Sequence, residues 1–78
     1  MYPSIGRIVI FQQSELEAPV NGSREHPAII TRVWSDQMVN LTVLFDSSGA
    51  APRGSIYLES SDSRPAQGPS WHWPPRVE

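Results

Sequence analysis

Cysteine and lysine are both missing from this 78-residue chain. Without cysteine there is no disulfide framework and no thiolate metal site. Without lysine, every basic residue is arginine: Arg7, Arg24, Arg32, Arg53, Arg64 and Arg76. Arginine suits forked contacts with phosphate or carboxylate and stacking on flat rings. Those cations are dispersed and the net charge is −2, which argues against a general DNA or RNA binder, because counterion release needs clustered positive charge. No apolar run approaches the roughly 20 residues that span a bilayer, and no signal-peptide pattern follows Met1. The expectation is a cytoplasmic protein with no membrane partner.

Catalytic groups are scarce as well. General acid–base or metal chemistry needs several convergent histidines or carboxylates, and the histidines are only His26 and His72. Their spacing matches no metal motif. Serine is abundant, yet none lies in a recognisable strained elbow. Ser48-Gly49 and Arg53-Gly54 read as turn punctuation, not as a phosphate loop. The chain is therefore read as a non-enzyme with no cofactor and no metal. Residues 1–78 make one domain near the lower limit of a self-sufficient core, which favours a homo-oligomer.

What is present is β-periodicity. Ile5 to Phe11 alternates, with Arg7, Val9 and Phe11 on one face and Ile8 and Ile10 on the other. Residues 12–27 contain Pro19, Asn21-Gly22 and Pro27 and read as a long polar loop, with His26 inside it. Ala28 to Trp34 is a second strand, Ser35-Asp36-Gln37 a short break, and Met38 to Asp46 the clearest strand. There Val39, Leu41, Val43 and Phe45 face inward. The segment from Asp46 to Pro52 supplies turn chemistry. Ser55 to Leu58 is a fourth strand, with Ile56 and Leu58 on the core side. Ser70 to Pro74 is the fifth, placing Trp71 and Trp73 on one face and His72 on the other. The expected fold is all-β, a small five-stranded antiparallel barrel.

Three segments carry a family resemblance: Gly6-Arg7-Ile8-Val9, Val33-Trp34-Ser35-Asp36 with Val39-Asn40, and Trp71-His72-Trp73-Pro74. In this order they resemble a family of small phage and prophage proteins with "GRIV", "VWSD…VN" and terminal "WHWP" segments. The resemblance covers the strands and leaves the loops unmatched. It implies an SH3-like barrel encoded by a phage, and so a protein acting in an infected bacterial host. Here Ile10-Phe11 follows the first segment, where a more polar ending is the family's habit.

The binding inventory is aromatic and cationic. Trp34, Trp71, Trp73 and Tyr57 can form a platform for a planar base, and Arg7, Arg32 and Arg53 can hold a phosphate. Ser35, Asp36 and Asn40 flank the hairpin and can read hydroxyls or base edges, with His72 between the last two tryptophans. The tryptophans have an equally simple role as core residues. In the phage setting, the inventory points to a small nucleotide ligand of the cyclic dinucleotide or ADP-ribose type, a bacterial immune signal that the protein sequesters. A protein-interaction module and a virion or assembly component are the alternatives.

Overall fold

The computed structural model describes residues 2–46 and 49–75. Arg76, and Ser47-Ser48 of the expected turn, lie outside that range. Five strands follow in chain order: β1 Ile8–Gln12, β2 Glu25–Val33, β3 Met38–Phe45, β4 Gly49–Leu58 and β5 Ser70–His72. They close into a barrel in the order β1-β2-β3-β4-β5, with β5 returning to β1. The all-β, five-stranded barrel is the architecture that the alternation predicts. One seam differs from a purely antiparallel closure. β5 pairs antiparallel with β1 but parallel with β4, through Tyr57↔Ser70 and Leu58↔Trp71.

The core follows from period two. Val9 and Phe11 of β1, Ala28 and Ile30 of β2, Val39, Leu41 and Val43 of β3, Ile56 of β4 and Trp71 of β5 are buried together. Every strand contributes, and burial of side chains of this size contributes roughly 1.5–3 kcal/mol each. Val33, Phe45, Leu58 and Trp73 pack around this centre, half-buried. Among the described residues no helix is long and apolar enough to cross a membrane.

Strand starts depart from expectation in three places, and β5 ends at His72, short of the expected Pro74. β1 begins at Ile8, because Gly6 takes φ +91° and its N–H donates to the Ile30 carbonyl at 2.8 Å, bending the chain into the strand. β2 begins at Glu25, so His26 and Pro27 belong to a strand, paired with Phe11 and Ile10. β4 begins at Gly49, with Ala50, Ala51 and Pro52 paired to Leu44, Val43 and Thr42. In β2 and β4 a proline broke the sequence pattern, and cross-strand partners hold it in place regardless.

The 12–27 segment is also more organised than a polar loop. Val20 and Ser23 form a bridge around Asn21 (φ 50°) and Gly22 (φ 80°), the positive-φ pair of a tight hairpin turn. Arg24 Nη1 donates to the carbonyls of Ser14 and Glu17 at 2.6 and 2.8 Å. At the tip, Asn21 Nδ2 donates to Asp46 Oδ2 at 3.2 Å.

Candidate functional site

Two register shifts converge on Asn40. Between β2 and β3 the pairing passes from Ile30↔Leu41 to Arg32↔Asn40, leaving Thr31 as an extra residue. Between β3 and β4 it passes from Val39↔Ile56 to Leu41↔Arg53, so Gly54 and Ser55 together oppose Asn40. A bulge bends its strand and re-aims side chains, and bulges gather next to functional sites. Ser55 sits at φ 55°, in the left-handed region that a non-glycine residue rarely adopts.

The Asn40 side chain fills this double irregularity. Its Oδ1 accepts the Ser55 backbone N–H and the Trp34 indole N–H, both at 2.8 Å. That second bond fixes the orientation of Trp34, which is 48% exposed. The Arg32 guanidinium lies over the indole, 4.1 Å from the ring centroid. Among the described residues, no carboxylate pairs with Arg32. Arg32, Trp34 and Asn40 thus form one positively charged aromatic platform on the outside of the barrel. The hairpin below is held by Ser35, whose Oγ accepts the N–H of Gln37 and of Met38. Asp36 is an exposed turn residue beside it.

The other sequence candidates divide into separate groups. Trp71 is 0% exposed and donates its indole N–H to the Gln37 carbonyl at 3.0 Å. The same carbonyl accepts the Leu58 N–H at 2.7 Å, so Trp71 ties β5 to the hairpin and presents no ligand surface. Trp73 meets Trp71 edge-on at 5.2 Å, and Arg7 lies over Trp73 at 5.4 Å. Arg53 reaches across Phe45 at 5.4 Å and comes within 4.0 Å of Glu17. Tyr57 is half-buried opposite Met38 and Ser70. His72 stands between two carboxylates, with Nε2 3.3 Å from Glu25 and Nδ1 3.6 Å from Glu59.

Two open grooves flank Pro27. One, of about 430 Å³, is lined by Ile10, Glu25, His26, Pro27, His72, Trp73 and Pro75. The other, of about 420 Å³, lies between the β2 end and the Leu44-Phe45-Asp46 end of β3. Neither groove is lined by Arg32 or Trp34. The platform and the grooves are therefore distinct features of the surface. Sequence reasoning missed Glu25 and Pro27, because both fell inside the segment read as a loop. It also placed His26 in that loop, whereas the ring is buried, bonded to Gln13 at 3.1 Å and tilted against Phe45 at 4.7 Å.

Among the described residues no cluster of three or more histidines and carboxylates can hold a metal ion. Comparison with protein-family models, curated proteins and solved structures finds no match.

Proposed function

We propose that this chain is a non-catalytic, phage-encoded binding protein that sequesters a nucleotide immune signal of the cyclic dinucleotide or ADP-ribose type in the cytoplasm of the infected bacterium. The observation that carries this reading is the Arg32-Trp34-Asn40 platform. An indole fixed by Asn40 and half open to solvent offers a stacking face to a base, worth about 1–3 kcal/mol per stacked base. A guanidinium held against that ring at 4.1 Å is pre-oriented for a phosphate. The double bulge and the left-handed Ser55 support the same reading, since such irregularities are retained where they position a site. The phage setting comes from the three-segment resemblance.

The test is calorimetric titration and thermal-shift screening against cyclic dinucleotides, cyclic oligonucleotides and ADP-ribose derivatives. A native-state ligand raises the melting temperature by mass action. The expected result is a shift with one ligand class, recovery of that ligand intact after denaturation, and loss of the shift in Arg32→Ala. A flat panel at saturating concentration would overturn the proposal.

One observation favours a second reading, an SH3-like module that binds a host or phage protein. The groove of about 430 Å³ has Ile10, Pro27, Trp73 and Pro75 along its walls, an apolar lining suited to an extended peptide. Retention of a host or phage protein that is lost in Trp73→Ala, while Arg32→Ala keeps it, would select that reading.

A further inference from the structure

The neighbours of the Asn40 side chain decide which way round its amide stands. Its Oδ1 meets two groups that can only donate, the Trp34 indole N–H and the Ser55 backbone N–H, both at 2.8 Å. The amide nitrogen in that place would set donor against donor, so Nδ2 has to stand on the other side. Among the described residues Nδ2 has no hydrogen-bond partner, and it is not enclosed. Arg32 is the cross-strand partner of Asn40, so the two side chains leave the same face. Its guanidinium lies over the Trp34 ring and likewise has no hydrogen-bond partner among the described residues. Every side-chain polar group that Arg32, Trp34 and Asn40 leave free is therefore a donor. Only a ligand group made of acceptors can fill such a set.

The charge at the platform is limited to one cation. The other described arginines are engaged elsewhere: Arg7 over Trp73, Arg24 on two loop carbonyls, Arg53 at Phe45 and Glu17, and Arg64 on the Gly68 carbonyl. Asp36, exposed and two residues beyond Trp34, adds a negative charge to the same hairpin. We infer that the Arg32 guanidinium and Asn40 Nδ2 together hold the two non-bridging oxygens of a single phosphodiester beside Trp34, and that the sequestered signal is therefore of the cyclic dinucleotide type. This rests on the nucleotide reading above, and adds to it a second ligand donor and a choice between its two ligand types.

The chemistry of the two ligand types makes the choice. A phosphodiester carries one negative charge, and its two free oxygens only accept, which matches one guanidinium and one amide N–H. A cyclic dinucleotide holds its two phosphates on opposite sides of its ring, so seating one leaves the other in solvent. ADP-ribose instead carries two adjoining phosphate charges. Arg32 matches one of them, and the second is left without a cation, in a hairpin that already holds Asp36. Asn40 thus acts at both ends of its amide: Oδ1 fixes the ring and Nδ2 binds the ligand.

The probes are cyclic di-AMP, cyclic di-GMP and ADP-ribose, titrated into the full chain by calorimetry and by nitrogen–proton correlation NMR. At least one cyclic dinucleotide should bind roughly tenfold or more tighter than ADP-ribose, the difference made by one charged hydrogen bond. In that complex the Asn40 Nδ2 amide signals, identified by their absence in Asn40→Asp, should shift along the same titration curve as the Arg32 Nε–H. Asn40→Asp keeps an acceptor for both N–H groups and exchanges the Nδ2 donor for a second acceptor oxygen. It should lose roughly tenfold or more in affinity while Trp34 fluorescence and the unfolding midpoint stay near wild type. The amide signals are read on the wild type, so the test holds even if that variant does not fold. Unmoved Asn40 amide signals in a saturated complex, or wild-type affinity in Asn40→Asp, overturn the inference and leave the nucleotide reading standing. Tighter binding of ADP-ribose does the same. Binding of none of the three overturns both.

Discussion

Trp71 in β5 and Trp34 beyond the end of β2 each donate the indole N–H to a single oxygen acceptor, at 3.0 and 2.8 Å. Trp71 has no exposed surface, whereas Trp34 keeps 48% of its own. The difference lies in what surrounds the ring. Trp71 is enclosed by side chains from all the other strands, and its acceptor is a backbone carbonyl that also holds Leu58. Trp34 is held by a side chain in a double bulge, with a guanidinium lying over its ring. An exposed aromatic ring is fixed here by polar anchoring, and the barrel supplies it where two register shifts meet. The same residue type is closed into the core near one end of the chain and held half exposed in the middle of it.

Trp71→Ala should break that comparison most visibly. Emptying a fully buried indole site costs about 3–5 kcal/mol, a large part of the stability of any small domain. Urea unfolding should show a largely unfolded population without denaturant. A midpoint close to wild type would mean that β5 does not close the core. Trp73→Ala should fall lower, at about 2 kcal/mol, because its ring is half-buried against Trp71 and beneath Arg7. A loss as large as that of Trp71→Ala would place Trp73 in the core proper.

Much of the barrel was legible because alternation is a local signal. Val9 and Phe11, then Val39, Leu41 and Val43, repeat every second residue, and all five are buried. Features that depend on distant partners were not legible. Pro27 and Pro52 lack the N–H that marks a strand interior, yet Ile10 and Thr42 pair with them. The parallel β4–β5 seam has no sequence signature, since it depends on where the 59–69 connection returns the chain. Arg24 looked like one more dispersed cation, although its side chain binds two carbonyls of the first loop. In the candidate site, Arg32, Trp34 and Asn40 were all identified from sequence. Their assembly through a bulge on each side of Asn40 was not, because a bulge is a mismatch between strands and appears in neither strand alone. Trp71 was grouped with them because an aromatic residue's type does not reveal its burial.

Asn40→Ala sharpens the contrast at the exposed tryptophan. It removes the acceptor of two hydrogen bonds in a partly solvated place, so the loss of stability should be about 1 kcal/mol. The larger consequence should be in Trp34, whose orientation no longer has an anchor. Calorimetry should show weakened binding of whichever nucleotide the wild type binds, and Trp34 fluorescence should report a more mobile ring. Unchanged affinity would mean that Asn40 merely repairs the bulge.

Arg32→Ala should have the smallest effect on the fold. Its guanidinium is exposed and its ring contact of this kind is worth about 0.5–1 kcal/mol, so unfolding should shift by no more than that. Binding is where the substitution should act, because removing Arg32 takes away the cation of the platform while leaving the indole and its anchor in place. A charged hydrogen bond to a phosphate is worth about 1.5–3 kcal/mol, which corresponds to roughly ten- to hundredfold in affinity. A protein that keeps its stability and loses binding separates the two tryptophan environments cleanly, since Trp71 is buried and its replacement acts on stability. Arg32→Lys refines the result further. Lysine keeps the charge and loses the flat, forked geometry, so recovery of binding in that variant would indicate that charge suffices, and continued loss would indicate that stacking on Trp34 orients the phosphate.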